Sequence, residues 1–197
     1  MRKLIVSNIV SLDGYYVAGP DWPGEIMDQA FDSHNAERLR AAGTLLLGRT
    51  TFQEFKRFWP SVADDPSPRW TDTHREISRL NDAMEKVVVS NSMTSEVIAP
   101  WDNTAIVRRE DMHQRISELK QQTGKDILVF GSRTLWSELL ALDLVDQLHL
   151  IIGPAILGTG APIFKDKPPV SLQLLDTRTW DGSQNVLIQY EVHRRPA

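Results

Sequence analysis

The sequence predicts an α/β domain. A central, mostly parallel, twisted sheet carries helices on both faces, and an antiparallel strand pair closes the C-terminus. Three observations lead there. Short unbroken apolar runs such as Ile127-Leu128-Val129-Phe130 suit strands buried on both faces. Segments with helical apolar spacing separate these runs, as parallel crossovers require. Towards the C-terminus the period changes to two. Val170, Leu172 and Leu174 alternate with polar residues, and Val186, Ile188, Tyr190 and Val192 follow the same spacing, with Asp181-Gly182 between the two runs.

In chain order, Lys3 to Val10 is the first strand, and Ser11-Leu12-Asp13-Gly14 is a turn. Tyr15 to Gly24 holds two glycines and two prolines, so it reads as a loop long enough to carry function. A helix is expected from about Glu25 to Ala42, with Gly43 in a C-cap position. Thr44 to Leu47 is a short buried strand. Gly48-Arg49-Thr50-Thr51 then turns into a short helix, Phe52 to Phe58, and Thr51 and Glu54 have capping-box spacing. Ser61 to Arg69, flanked and interrupted by prolines, is an exposed loop.

Thr71 to Asp82 is a surface helix, and Lys86 to Ser90 and Thr104 to Val107 are strands. Glu110 to Thr123 is amphipathic, with Met112, Ile116 and Leu119 on one side and Gly124 after it as a cap. The stretch from Asp126 to Phe164 reads as strand, glycine turn, helix, strand. Its helix carries Leu135, Trp136, Leu139 and Leu140 on one face, and its second strand runs from Gln147 to Ile152. Such a unit is a parallel crossover, and ligands bind at the carboxyl ends of its strands. No repeat or linker divides the chain, so one domain over residues 1–197 is expected.

Composition narrows the function. The 197 residues are 41% hydrophobic and 24% charged, which suits a soluble globular protein. The net charge of −4 argues against a nucleic-acid-binding face. There is no cysteine, which removes thiolate catalysis, disulfides and cysteine-ligated metals. The histidines show no metal-ligand spacing. The basic and then apolar N-terminus is interrupted by Ser7 and Asn8, so it reads as a strand rather than a signal peptide. No run approaches the ~20 apolar residues of a membrane helix. The expectation is a cytoplasmic protein that binds a small molecule.

Three strands end in small polar or glycine residues: Gly48-Arg49-Thr50-Thr51, Ser90-Asn91 and Gly131-Ser132-Arg133-Thr134. The first and third open helices, whose N-termini attract phosphate through free backbone N–H groups. Arg49 and Arg133 add guanidinium groups suited to phosphate. Ordinary turn chemistry accounts for the same residues without a ligand. There is no G-x-G-x-x-G after a strand and no P-loop.

These segments carry a resemblance. LLLGRTTFQEF resembles the strand–Gly-Arg-x-Thr–helix segment of dihydrofolate reductases. DILVFGSRTLWSELLALDLVDQLHLIIGPAILGTGAPIF, together with SLDGYYVAG, resembles the reductase domain of bifunctional riboflavin-biosynthesis deaminase-reductases. The resemblance implies a dihydrofolate-reductase-like fold and a bound NADPH. It places Arg49 at the 2′-phosphate, Thr51 at the pyrophosphate, with Gly48 and Thr50 among the cofactor-binding residues, and Ser90 and Asn91 beside the adenosine. Gly131, Ser132, Arg133, Thr134 and Leu135 cradle the pyrophosphate from the other side. Ser11, Asp13 and Gly14 border the nicotinamide. A homodimer is implied by resemblance alone.

Two departures stand out. The family commonly has paired glycines where this chain has Gly131-Ser132. Folate reductases also carry a buried carboxylate that assists protonation, and here Asp28 and Asp32 are the candidates, with Asp13 a third carboxylate near the site. Solvated carboxylates at a helix start are the plainer reading of Asp28 and Asp32. The cysteine-dependent zinc deaminase half is absent. The activity implied is hydride transfer from NADPH to a small heterocyclic or sugar-derived substrate. The alternative is a nucleotide-binding module of the same fold without turnover.

Overall fold

The computed structural model describes residues 1–16, 26–164 and 168–194. The strands are β1 (Leu4–Ser11), β2 (Tyr15–Tyr16), β3 (Ala42–Gly48), β4 (Glu85–Val89), β5 (Thr104–Val107), β6 (Asp126–Phe130), β7 (Gln147–Gly153), β8 (Ala161–Pro162), β9 (Val170–Thr179) and β10 (Val186–Arg194). The α-helices are α1 (Gln29–Ala41), α2 (Arg49–Phe58), α3 (Asp72–Ala83), α4 (Met112–Gln121) and α5 (Arg133–Ala141).

All ten strands join one sheet in the order β5-β4-β3-β6-β1-β7-β10-β9, and the short β2 and β8 extend from β1. Pairings from β5 across to β7 are parallel. Those of β7 with β10 and of β10 with β9 are antiparallel, as the change of sequence period predicts. The β6-α5-β7 crossover skips a position, because β1 lies between β6 and β7 and pairs with both.

Alternation along each central strand feeds two cores. Leu4, Val6, Leu46, Val87, Ile127 and Val129 pack against α4 and α5. Ile5, Leu45, Leu47, Val88, Leu128 and Phe130 pack against α1, α2 and α3. With both faces covered, these strands are mostly apolar, and β1 is interrupted only by the buried Ser7 and Asn8 before its closing Ser11.

Three local expectations are corrected. Helix α1 ends at Ala41, and its cap Ala42 is already extended, so Gly43 is a strand residue and not a helix cap. The cap of α4 is Gln122, two residues before Gly124. Thr51 and Glu54 form no capping box, because α2 begins two residues earlier with Gly48 as its N-cap. The chain turns from strand to helix at once there, and the Thr51 hydroxyl is used across the sheet instead.

Candidate active site

Parallel pairing brings the carboxyl ends of β3, β4 and β6 side by side. A cavity of about 940 Å³ opens over them. Its wall includes Gly48, Arg49, Thr50 and Thr51 at the start of α2, Ser90 and Asn91 after β4, and Ser132, Arg133, Thr134 and Leu135 at the start of α5. Ten of the residues expected on sequence grounds thus share one cavity.

The two helix starts are locked to each other. The Gly48 N–H donates to the Ser132 hydroxyl at 3.0 Å, and the Ser132 N–H donates to the Thr51 hydroxyl at 3.1 Å. Gly131 and Ser132 both adopt left-handed backbone, with φ of 55° and 52°. Serine tolerates this poorly compared with glycine, and the cross-turn bond offsets the cost. The departure from paired glycines therefore has a structural role, and the N–H groups of Gly48 and Ser132 are used internally. The next residues of each helix line the cavity, and first-turn amides lack intrahelical partners.

The electrostatics favour an anion. Among the described residues neither Arg49 nor Arg133 has a carboxylate partner. Arg49 donates to the Ser92 hydroxyl at 2.8 Å, and Arg133 donates to the Pro162 carbonyl at 2.5 Å. Arg109, also on this wall, is held by Glu138. Ser90 caps its own turn, its hydroxyl accepting from the N–H groups of Ser92 and Met93, while the Asn91 side chain accepts from the Arg109 N–H.

A second cavity, of about 530 Å³, lies beside the first, and among the described residues the two share Tyr16 and Glu54. Its walls are largely aromatic and aliphatic: Phe31, Phe55, Phe58, Trp59, Phe130 and Ile151. Gly131 lines this cavity rather than the first. Helix α1 presents Phe31, Asn35 and Leu39 at spacings of four, with Asp32 beside them, and α3 presents His74, Ile77 and Asn81 at spacings of three and four. Two buried polar atoms in this wall, Nδ2 of Asn8 and Oδ1 of Asn81, have no partner among the described residues. Unpaired buried groups are uncommon, which makes Asn8 and Asn81 candidates for ligand contact.

The three candidate carboxylates separate clearly. Asp28 is the N-cap of α1, accepting from the N–H groups of Ala30 and Phe31 and from Ser183 and Asn185. Burial raises its pKa, but these donors outweigh burial and hold it below the usual value. It is structural, and it lines neither cavity. Asp13 accepts from the Ser11 hydroxyl and from the N–H groups of Leu157 and Gly158. The Ser11 bond is the main reason its carboxyl lies below the ordinary range. Ser11, Asp13 and Gly14 are absent from both walls. Asp13 instead anchors the 157–160 loop, whose Leu157, Thr159 and Gly160 line the first cavity.

Asp32 stands in the second cavity. Its Oδ2 lies 3.0 Å from His74 Nε2. The His74 Nδ1 accepts from the Thr71 N–H, which places the imidazole proton on Nε2, facing Asp32. Burial holds the Asp32 carboxyl above its usual pKa, against the pull of His74 and with a smaller push from Asp28.

Sequence reasoning missed Tyr16, Glu54 and the 157–160 loop. Tyr16 is two residues past the SLDG turn, and that position is the available signal. Trp59 walls the second cavity, and Trp101 is buried against Phe52. Trp70 packs edge-on to Phe58 and donates to Asp65. Trp22 lies outside the described residues.

The mostly parallel sheet with its antiparallel C-terminal strands, helices on both faces and two adjoining cavities is a dihydrofolate-reductase-like domain. Residues 2–188 match the RibD C-terminal domain, and the chain belongs to that family. The uncharacterised YyaP protein of Bacillus subtilis is 33% identical over 186 residues, covering 92% of this chain and 90% of YyaP. The fold is shared with solved structures. A putative riboflavin biosynthesis protein from Shewanella sp. PV-4 aligns with a TM-score of 0.63 at 21% identity, over 98% of this chain and 99% of that one. Acinetobacter baumannii RibD aligns with a TM-score of 0.64 at 16% identity, over 98% of this chain and 59% of RibD. Among the described residues no helix is long and apolar enough to cross a membrane.

Proposed function

We propose that this chain is an NADPH-dependent reductase of the riboflavin-pathway type, acting on a flat heterocycle or a related sugar-derived molecule such as a ribosylamino-uracil. The observation that carries this reading is the meeting of the two cavities at Tyr16 and Glu54. The residues present suit the cofactor. Two helix N-termini and two guanidinium groups without a carboxylate partner among the described residues line a cavity of about 940 Å³. Arg49, next to Ser92, would hold the 2′-phosphate, and the α2 and α5 starts would hold the pyrophosphate. When bound, NADPH supplies the hydride. The protein's aromatic walls orient the acceptor and exclude water. Asp32, whose carboxyl pKa is raised by burial against the pull of His74, stands in the acceptor cavity as the candidate proton donor. That carboxyl supports the reductase reading over a nucleotide-binding module without turnover.

Thermal midpoints with NADPH, with NADH and without nucleotide test the cofactor. A ligand at ~100 times its Kd should stabilise by about 2.7 kcal/mol. Arg49→Ala is expected to weaken NADPH more than NADH. No shift with NADPH, or equal weakening of both nucleotides, contradicts the assignment. Loss of NADPH absorbance across a panel of pyrimidines and pteridines then tests turnover.

A homodimer is part of the same proposal. The sheet ends at β9, where Leu172 and Leu174 are 42% and 55% exposed. Long edge strands with exposed apolar residues favour pairing. Sedimentation is expected to give the mass of two chains, and a monomer at micromolar concentration overturns this part.

A further inference from the structure

The opening between the cavities has a residue of its own. A hydride moves only between rings in contact, so both reacting rings must reach the place where the cavities meet. Tyr16 stands there, on the wall of each. Its backbone is held from both sides, by Val10 of β1 and by Ala161 of β8. Its ring is half-buried against the core beneath α5. Its hydroxyl has no hydrogen-bond partner among the described residues. That hydroxyl borders Gly131: a Cβ added at Gly131 would lie 3.1 Å from it and 3.1 Å from Thr51 Cγ2. The phenol and the left-handed glycine therefore fit each other. Burial first, and then the Glu54 carboxylate, raise the phenol's pKa against the pull of Arg133. The group at the opening is a neutral O–H donor.

We propose that Tyr16 is a positioning residue for the nicotinamide end of the dinucleotide, its hydroxyl donating a hydrogen bond that holds that end at the opening. This rests on the NADPH reading. The test compares wild type with Tyr16→Phe, which keeps the ring and removes only the hydroxyl. Each is titrated with NADPH and with adenosine 2′,5′-bisphosphate, which lacks the nicotinamide.

Tyr16→Phe is expected to bind the bisphosphate as wild type does. It should bind NADPH about three- to tenfold more weakly, the loss of one neutral hydrogen bond. The fluorescence change of the bound reduced nicotinamide should shrink with it. Unchanged NADPH affinity and fluorescence in Tyr16→Phe overturn the role of Tyr16 and leave the cofactor reading intact. Equal weakening of both ligands also overturns it, because it indicates a structural role. Wild type that binds neither ligand overturns the cofactor reading, and this inference with it.

Discussion

Asp32→Asn is expected to lower the rate of NADPH oxidation about 10²- to 10⁴-fold with any acceptor the wild type reduces, the usual worth of a positioned acid. Asparagine keeps the size of the side chain and an oxygen to accept from His74 Nε2, 3.0 Å away in the wild type. It has no proton to transfer. NADPH affinity should stay within about twofold, because Asp32 is absent from the first cavity. Asp28→Ala provides the contrast. It removes the α1 cap and should cost about 0.5–2 kcal/mol of stability, with the rate per folded molecule preserved. Single-turnover absorbance measurements distinguish the two variants. An Asp32→Asn enzyme with the wild-type rate would exclude Asp32 as the acid.

Mild acid is expected to destabilise the fold through two histidines outside both cavities. His34 and His149 are 2% and 1% exposed, with ring centroids 5.8 Å apart. Ser7 Oγ lies 3.3 Å from His34 Nε2, and Gln147 Oε1 lies 3.1 Å from His149 Nε2. The Nδ1 of His149 is buried and unpartnered. Burial, then Arg38, lowers the pKa of His34 to about 4. Burial, then His34 and Arg38, lowers that of His149 to about 3.

The unfolded chain takes up these protons near pH 6.5, and the folded chain does not. The stability is therefore fully present above about pH 6.5 and is lost as the pH falls towards 4 and then 3. The loss should be on the order of several kcal/mol over that range. Between pH 6.5 and 4.5 the lowered carboxylates Asp13 and Asp28 contribute little, because their unfolded value is 3.8. Urea midpoints across that interval should fall, with a shallower fall in His149→Gln. A flat profile in the wild type would mean that the histidines are not held neutral.

The strands and both helix starts were legible in the sequence because each depends on neighbours along the chain. A strand covered on both faces is mostly apolar, and a helix opening directly from a strand shows as a glycine followed by small polar residues. Gly48-Arg49-Thr50-Thr51 and Gly131-Ser132-Arg133-Thr134 could be found on that basis alone. Their union in one cavity needed the pairing of β3 with β6, strands separated in sequence by α2, β4, β5 and other elements.

Asp28 and Asp32 look alike in sequence, four residues apart at one helix start. Only the packing of α3, which brings His74 to Asp32, and the turn before β10, which brings Ser183 to Asp28, separates them. For Asp13 likewise, the Leu157 and Gly158 amides that donate to it come from a distant loop, which its local sequence does not show. Tyr16 carried no periodic signal, since a two-residue strand is too short to show one.

The sequence by itself determined the elements, the two phosphate-ready turns and the family resemblance, because these follow from backbone preference and local burial. The tertiary structure alone decided which carboxylate faces the second cavity and which residue stands between the cavities. Those properties belong to contacts between distant segments, and no local pattern of side chains encodes them.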